Sequence, residues 1–137
     1  MAAYIADQEM SLFVMDYDYN SDTAETLAAT HEAFYLAVRE KQPDLPIVMA
    51  TRTDPIRDLQ MEKIEDGRRA VVIRTYENAL RRGENVRFVD GRQVFSAMAD
   101  RGLSPWDCTV DSGHPNDLGF LCMSNVFGDV IAEMLDW

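Results

Sequence analysis

Asp111 and His114 stand three residues apart in the run Asp111-Ser112-Gly113-His114-Pro115-Asn116-Asp117-Leu118-Gly119-Phe120. That spacing can do acid–base chemistry, because a tight turn brings side chains at i and i+3 together. The Asp111 carboxylate would accept a hydrogen bond from one nitrogen of the His114 ring, fix its tautomer, and leave the other nitrogen free as a general base. Such a pair is two-thirds of a catalytic triad and calls for a nucleophile. Three residues come into question. Cys108, six residues before His114, is intrinsically nucleophilic, but it would have to reach the ring from the same loop with no helix N-terminus behind it. Ser112, between Asp111 and His114, would point away; Ser21 is nearer in principle. Each member of the pair also fits a plain structural role, Asp111 closing a turn and His114 sitting exposed before Pro115.

The remaining polar residues offer less. His31 lies on an apolar helix stripe between Leu27 and Phe34, the setting of a packed histidine. Asp16, Asp18, Asn20 and Asp22 alternate as in a calcium loop, yet the sixth position is Ser21 rather than Gly and the twelfth is Leu27 rather than Glu, so no metal site is read there. The eight Met residues form no cluster and are expected to fill core gaps.

These side chains need a frame. Three short apolar runs, Leu12 to Asp16, Ile47 to Thr51 and Val86 to Asp90, read as buried parallel strands. Helical patterns separate them. Asp22 with Glu25 resembles a capping box, followed by Leu27, His31, Phe34 and Val38 on one face and an end near Gln42-Pro43. A second run, starting between Asp58 and Gly67, carries Val72, Ile73, Tyr76 and Leu80 on its apolar face and stops before Gly83. The last helix begins near Asn116 or Asp117 and buries Phe127, Val130, Ile131, Met134 and Leu135. Alternating strands and helices predict one α/β domain, a parallel sheet covered on both faces. Ligands of such sheets bind beyond the C-terminal strand ends. Asn20, Thr51-Arg52-Thr53-Asp54 and the Asp111/His114 loop all fall on that edge.

The run from Asp111 to Phe120 resembles the last signature block of the SGNH (GDSL-type) ester hydrolases, Asp-x-x-His-Pro-Asn-x-x-Gly at the start of the C-terminal helix. A second block of that family, an Asn just past a buried strand, matches Asn20 after Leu12 to Asp16. Asp18 stands where Gly is usual and Ser21 where Asp is usual, while Asp16 and Asn20 fit the Asp-x-x-x-Asn version of the block. The resemblance implies a flavodoxin-like three-layer α/β/α sandwich. It implies serine ester hydrolysis on acyl, acetyl or carbohydrate esters without cofactor or metal. Asp111 and His114 would be catalytic, with Asn20 donating its amide N–H to the oxyanion, a contribution of about 3–4 kcal/mol in a comparable site. The family's nucleophile lies in a Gly-Asp-Ser motif, and no Gly-Asp-Ser occurs in these 137 residues. The match therefore covers the C-terminal portion of the family's domain, and the expectation is a domain incomplete at its N-terminus and catalytically silent as it stands. The alternative is a non-catalytic α/β module for assembly or interaction.

A formal charge of -11 speaks against nucleic acid or anionic membrane as partner, since both need clustered Lys and Arg. Arg68-Arg69 and Arg81-Arg82 are surrounded by Glu62, Glu65, Asp66, Glu77 and Glu84, which predicts a solvated helix face. Cys108 and Cys122 are too few for a disulfide framework and read as packed free thiols. No long apolar run predicts a membrane span, and the first residues lack the features of a signal peptide, so localisation is left unassigned. The expected partners are a small-molecule ester and a second copy of the chain. The latter would cover an exposed apolar edge at Leu12 to Asp16, or a bare sheet face, in a two-fold dimer.

Overall fold

In the computed structural model residues 1–53, 55 and 59–137 are described, apart from the side chains of residues 59, 60 and 97. Three strands, β1 (Phe13–Asp16), β2 (Ile47–Ala50) and β3 (Val86–Val89), form a parallel sheet in the order β1-β2-β3. Phe13, Ile47 and Val86 stand in one register row. Because side chains alternate across a strand, that row and the one through Met15, Met49 and Phe88 face one layer of helices. Val14, Val48 and Val89 face the other. Ile47, Val48, Met49 and Ala50 are all fully buried, as a central parallel strand requires. Burying each of the three larger side chains is worth about 1.5–3 kcal/mol.

The first layer is made of α1 (Ala2–Ala6), α2 (Ala24–Lys41) and α3 (Leu59–Arg81). Helix α2 buries Leu27, His31, Phe34 and Val38 as its periodicity predicts. Its cap is one residue later than expected: Thr23 accepts the Thr26 N–H at 3.2 Å and donates its own N–H to the Thr26 hydroxyl at 3.1 Å. Two threonines thus do the work assigned to Asp22 and Glu25. At the other end Arg39 turns inward, and its guanidinium donates to the carbonyls of Gln42, Pro43 and Leu45 at 3.1, 2.8 and 2.7 Å. Helix α3 is described from Leu59 onward; Asp54 and Asp58, part of the expected loop and helix start, lie outside the described residues. Its buried face runs through Val71, Val72, Thr75 and Ala79, while Leu80 is exposed, so the stripe is rotated from the one read in the sequence. Gly83, at φ 74°, closes the helix by letting the N–H groups of Gly83 and Glu84 reach the carbonyls of Leu80 and Ala79 at 2.9 and 3.2 Å.

The second layer follows β3: α4 (Gly91–Val94), two 3-10 turns (Ser96–Arg101 and Pro105–Cys108) and α5 (Asp117–Met134). Phe95, Met98, Cys108 and Cys122 pack there on Val48, Ala50 and Val89. Phe127, Val130 and Met134 reach this core but remain half-buried, less covered than the pattern of the last helix predicts. Arg87, near the start of β3, pairs with Glu133, near the end of α5, at 3.0 Å. The helix therefore runs antiparallel to the strand, and its N-terminus rises at the C-terminal end of the sheet. Among the described residues no helix is long and apolar enough to cross a membrane.

Candidate active site

The loop ahead of α5 is a two-residue-wide ladder. Thr109 and Pro115 form an antiparallel bridge, with the Val110 N–H donating to the His114 carbonyl at 2.9 Å and the Asn116 N–H to the Cys108 carbonyl at 3.0 Å. Ser112 turns the chain at φ 72°, a left-handed conformation, and donates its N–H to the Thr109 hydroxyl at 3.1 Å. Within that turn one carboxylate organises everything. Asp111 Oδ1 accepts the N–H groups of Gly113 and His114 at 3.0 and 2.8 Å, and Oδ2 meets His114 Nδ1 at 2.7 Å. The His114 backbone N–H first, then its ring and the Gly113 N–H, stabilise the charged form and bring the Asp111 pKa down to about 2. An ionised Asp111 can only accept, so His114 Nδ1 carries the proton of the contact. The His114 side chain is 81% exposed, and among the described residues its Nε2 has no hydrogen-bond partner. The ring is oriented by one nitrogen and open at the other.

Two residues fasten this loop to the helix. Asn116 caps α5 by accepting the Gly119 N–H at 3.0 Å, and its amide donates to the Asp107 carbonyl at 2.8 Å. Gly119 lies so close to the loop that a Cβ there would sit 2.2 Å from the Cys108 carbonyl oxygen. Cys108 and Cys122 are buried free thiols, as expected. Burial, followed by the neighbouring Cys122, pushes the Cys108 pKa up to about 11. The Cys108 thiol is fully buried and packs in the core of the second layer.

Asn20 lies exposed in the turn after β1, two strand spacings or about 10 Å from β3 across the sheet. It is at the same end of the sheet as His114, but among the described residues it makes no hydrogen bond to Asp111 or His114. The structure thus joins two of the three predicted site residues and puts the third on the same rim. Beside Asn20 is a group that the sequence did not reveal. Asp18 is 1% exposed; its Oδ2 accepts the Arg52 N–H at 3.2 Å, and among the described residues its Oδ1 is without a partner. Burial outweighs that hydrogen bond and raises its pKa to about 6. Behind it Glu65 accepts from Arg52 and Arg68 at 3.1 and 3.0 Å, and Arg68 donates to the Asp22 carbonyl at 3.1 Å. Glu65 and Arg68 are therefore buried, contrary to the solvated face expected for them. Their i, i+3 spacing was the available signal, because one carboxylate and one guanidinium on the same helix face can enter a core as a pair. Gly91 completes the rim: its N–H reaches the Thr51 hydroxyl at 2.9 Å, and a Cβ would lie 2.1 Å from the carbonyl oxygens of Thr51 and Arg52. Among the described residues no group of three or more His, Cys, Asp or Glu is placed to hold a metal ion.

The profile of the GDSL-like lipase/acylhydrolase family matches residues 1–132. A search of curated proteins gives no match. Among solved structures, a protein of Bacteroides ovatus ATCC 8483 assigned as a GDSL-like lipase superposes with a TM-score of 0.79 at 23% identity, over 98% of this chain and 39% of its own. The salicylyl-acyltransferase SsfX3 of a tetracycline biosynthetic pathway gives 0.73 at 19% identity, over 97% and 40%. A peptidoglycan O-acetylesterase gives 0.63 at 10% identity, over 98% and 41%. The chain thus spans about two-fifths of the length of each of these structures, and at such identities the likeness is one of fold. With the family profile running over nearly all its residues, the chain belongs to the GDSL-like lipase/acylhydrolase family.

Proposed function

We propose that this chain carries the acid–base half of a serine ester hydrolase. The observation that supports the reading best is the 2.7 Å contact of Asp111 with His114 Nδ1, which leaves Nε2 open at the rim of the sheet. In the proposed reaction Nε2 takes the proton of a serine hydroxyl as its oxygen attacks the ester carbon. The oxyanion collapses, the bond to the alcohol oxygen breaks, and the imidazolium returns its proton to that oxygen. Water then repeats the sequence on the acyl-serine. Asp111 stabilises the imidazolium at each step, and Asn20 is assigned the oxyanion. The serine is assigned to a Gly-Asp-Ser segment that these residues do not contain. The 137-residue polypeptide alone is accordingly expected to hydrolyse p-nitrophenyl acetate no faster than its His114→Ala variant. A turnover that His114→Ala abolishes would place a nucleophile within the chain and overturn the assignment.

The same absence of Gly-Asp-Ser supports a second reading, a non-catalytic α/β module. An in-frame Gly-Asp-Ser segment in the DNA upstream of Met1 favours the hydrolase, and its absence favours the module.

A further inference from the structure

Asn20 takes its aim from its backbone. Among the described residues its amide has no hydrogen-bond partner, so the turn that carries it decides what it can reach. That turn is Asp18–Ser21, closed by the Ser21 N–H donating to the Asp18 carbonyl at 3.2 Å, with Asn20 as its third residue. Asp18 is tied twice: its carbonyl closes the turn, and its carboxylate Oδ2 accepts the N–H of Arg52, two residues past β2, at 3.2 Å. Next to it the Tyr19 hydroxyl lies 3.4 Å from Thr53 Oγ1, and the Arg52 guanidinium lies 4.6 Å over the Tyr19 ring. Among these anchors Asp18 is the one that stability does not explain. Its carboxyl is 1% exposed, one of its two oxygens is without a partner among the described residues, and burial opposes its charge. An asparagine would accept the same N–H with no buried charge. A carboxyl kept at a loss of stability, two residues from a candidate oxyanion donor, is the pattern of a residue retained for function.

Resting on the reading of Asn20 as the oxyanion donor, we infer that Asp18 is a positioning residue for Asn20. Its carboxylate, clamped on the Arg52 N–H, fixes the Asp18–Ser21 turn against the loop after β2, so that the Asn20 amide stands at one place on the rim of the sheet. An oxyanion donor stabilises charge to the extent that it is in place before the charge develops. An exposed side chain on a four-residue turn has that order only when the turn itself is held. A negative acceptor holds a backbone N–H more strongly than a neutral one, which gives the charge of Asp18 a use at this point. The charged groups that face it are Asp16 at the end of β1, Arg52 after β2 and Glu65 on α3. The two acids oppose its ionisation and Arg52 supports it, so the strength of the clamp follows the protonation of Asp18.

The test is nitrogen-15 NMR of the 137-residue chain, following the backbone N–H groups of Asn20, Ser21 and Arg52. At pH 8 the Asn20 order parameter is expected near the rigid value of about 0.85 in the native chain and below about 0.6 in Asp18→Ala. Exchange of the Arg52 N–H with water is expected to be faster by about tenfold or more in Asp18→Ala. Asp18→Asn keeps an acceptor in place and is expected to retain the order of Asn20. In the native chain the three signals are expected to move together as pH falls through about 6, where Asp18 takes up its proton, and to lose that step in Asp18→Asn. Unchanged signals of buried His31 at pH 8 confirm that each variant is folded; Asp18→Asn and the native titration decide the matter even where Asp18→Ala does not fold. A mobile Asn20 in the native chain, an ordered one in folded Asp18→Ala, or a mobile one in Asp18→Asn would overturn the assignment. So would a titration that is absent from the native chain or survives in Asp18→Asn. None of these readouts involves turnover or His114, whose tautomer tests the hydrolase reading, so the inference and that reading can fail separately.

Discussion

Single residues divide sharply by how visible they are in sequence. Asp111 and His114 could be paired on paper because three residues of turn leave the two side chains few places to go, and the structure has them 2.7 Å apart. Asp18 could not, since an alternating acidic run gives no sign of which acid is buried, and the structure has it 1% exposed with the Arg52 N–H on its carboxylate. Asp18 and His31 give opposite pH dependences. Asp18 ionises near pH 6 in the fold against 3.8 for the ordinary side chain, so folding favours its neutral form. The stability it contributes is full below pH 3.8 and is lost as pH rises through 6, by up to about 3 kcal/mol. His31 is buried, held by Thr75 at 2.9 Å, and desolvation lowers its pKa from 6.5 to about 4. Its contribution is full above pH 6.5 and is lost as pH falls through 4. Asp18→Asn is therefore expected to stabilise the protein at pH 8 by about 2–3 kcal/mol and to change little at pH 4. With Asp18 removed, stability should rise steadily from pH 4 to 6.5 as His31 loses its proton. Urea unfolding at the two pH values checks this, and an equal difference at both would contradict it.

At the scale of elements, strand positions were legible because three apolar runs bounded by turn residues have few alternatives, and each strand lies within one residue of its expected ends. Helix faces were less legible. The stripe of α3 is set by Thr75 and Ala79, a polar and a small residue that hydrophobic periodicity underrates, so Leu80 was assigned to a core it does not enter. The junction of the site loop with α5 was legible only as a motif; its physical reason is the close approach of Gly119 to the Cys108 carbonyl. Gly119→Ala is expected to destabilise the protein by about 2 kcal/mol or more, because backbone rather than a flexible side chain must give way. Gly128→Ala, at a helical position with nothing within 4 Å, is expected to be neutral or slightly stabilising. Thermal unfolding of both variants is the check: comparable losses would deny the close approach its structural role.

For the whole molecule, composition ruled on charge but said nothing of how the sheet ends. Strand β1 pairs with β2 on one side, and Leu12, Phe13 and Val14 are only half-buried. A strand edge of this kind invites pairing. We propose that two copies of the chain meet across a two-fold axis at β1 or at the adjoining sheet face, burying these side chains despite the acidic charge they share. Light scattering at micromolar concentration is expected to give twice the 15.6 kDa of one chain, with the dimer strengthened by salt as repulsion is screened. A monomer across that range would contradict the assembly.

The central claim is that Asp111 holds His114 with Nδ1 protonated and Nε2 free to act as a base. Nitrogen-15 NMR of the neutral His114 ring measures this directly, with the signals of buried His31 as the internal comparison. The Nδ1–H tautomer is expected in the native chain, and its loss is expected in Asp111→Ala. A native His114 found mainly as the Nε2–H tautomer, or one whose tautomer is unchanged in Asp111→Ala, would contradict it.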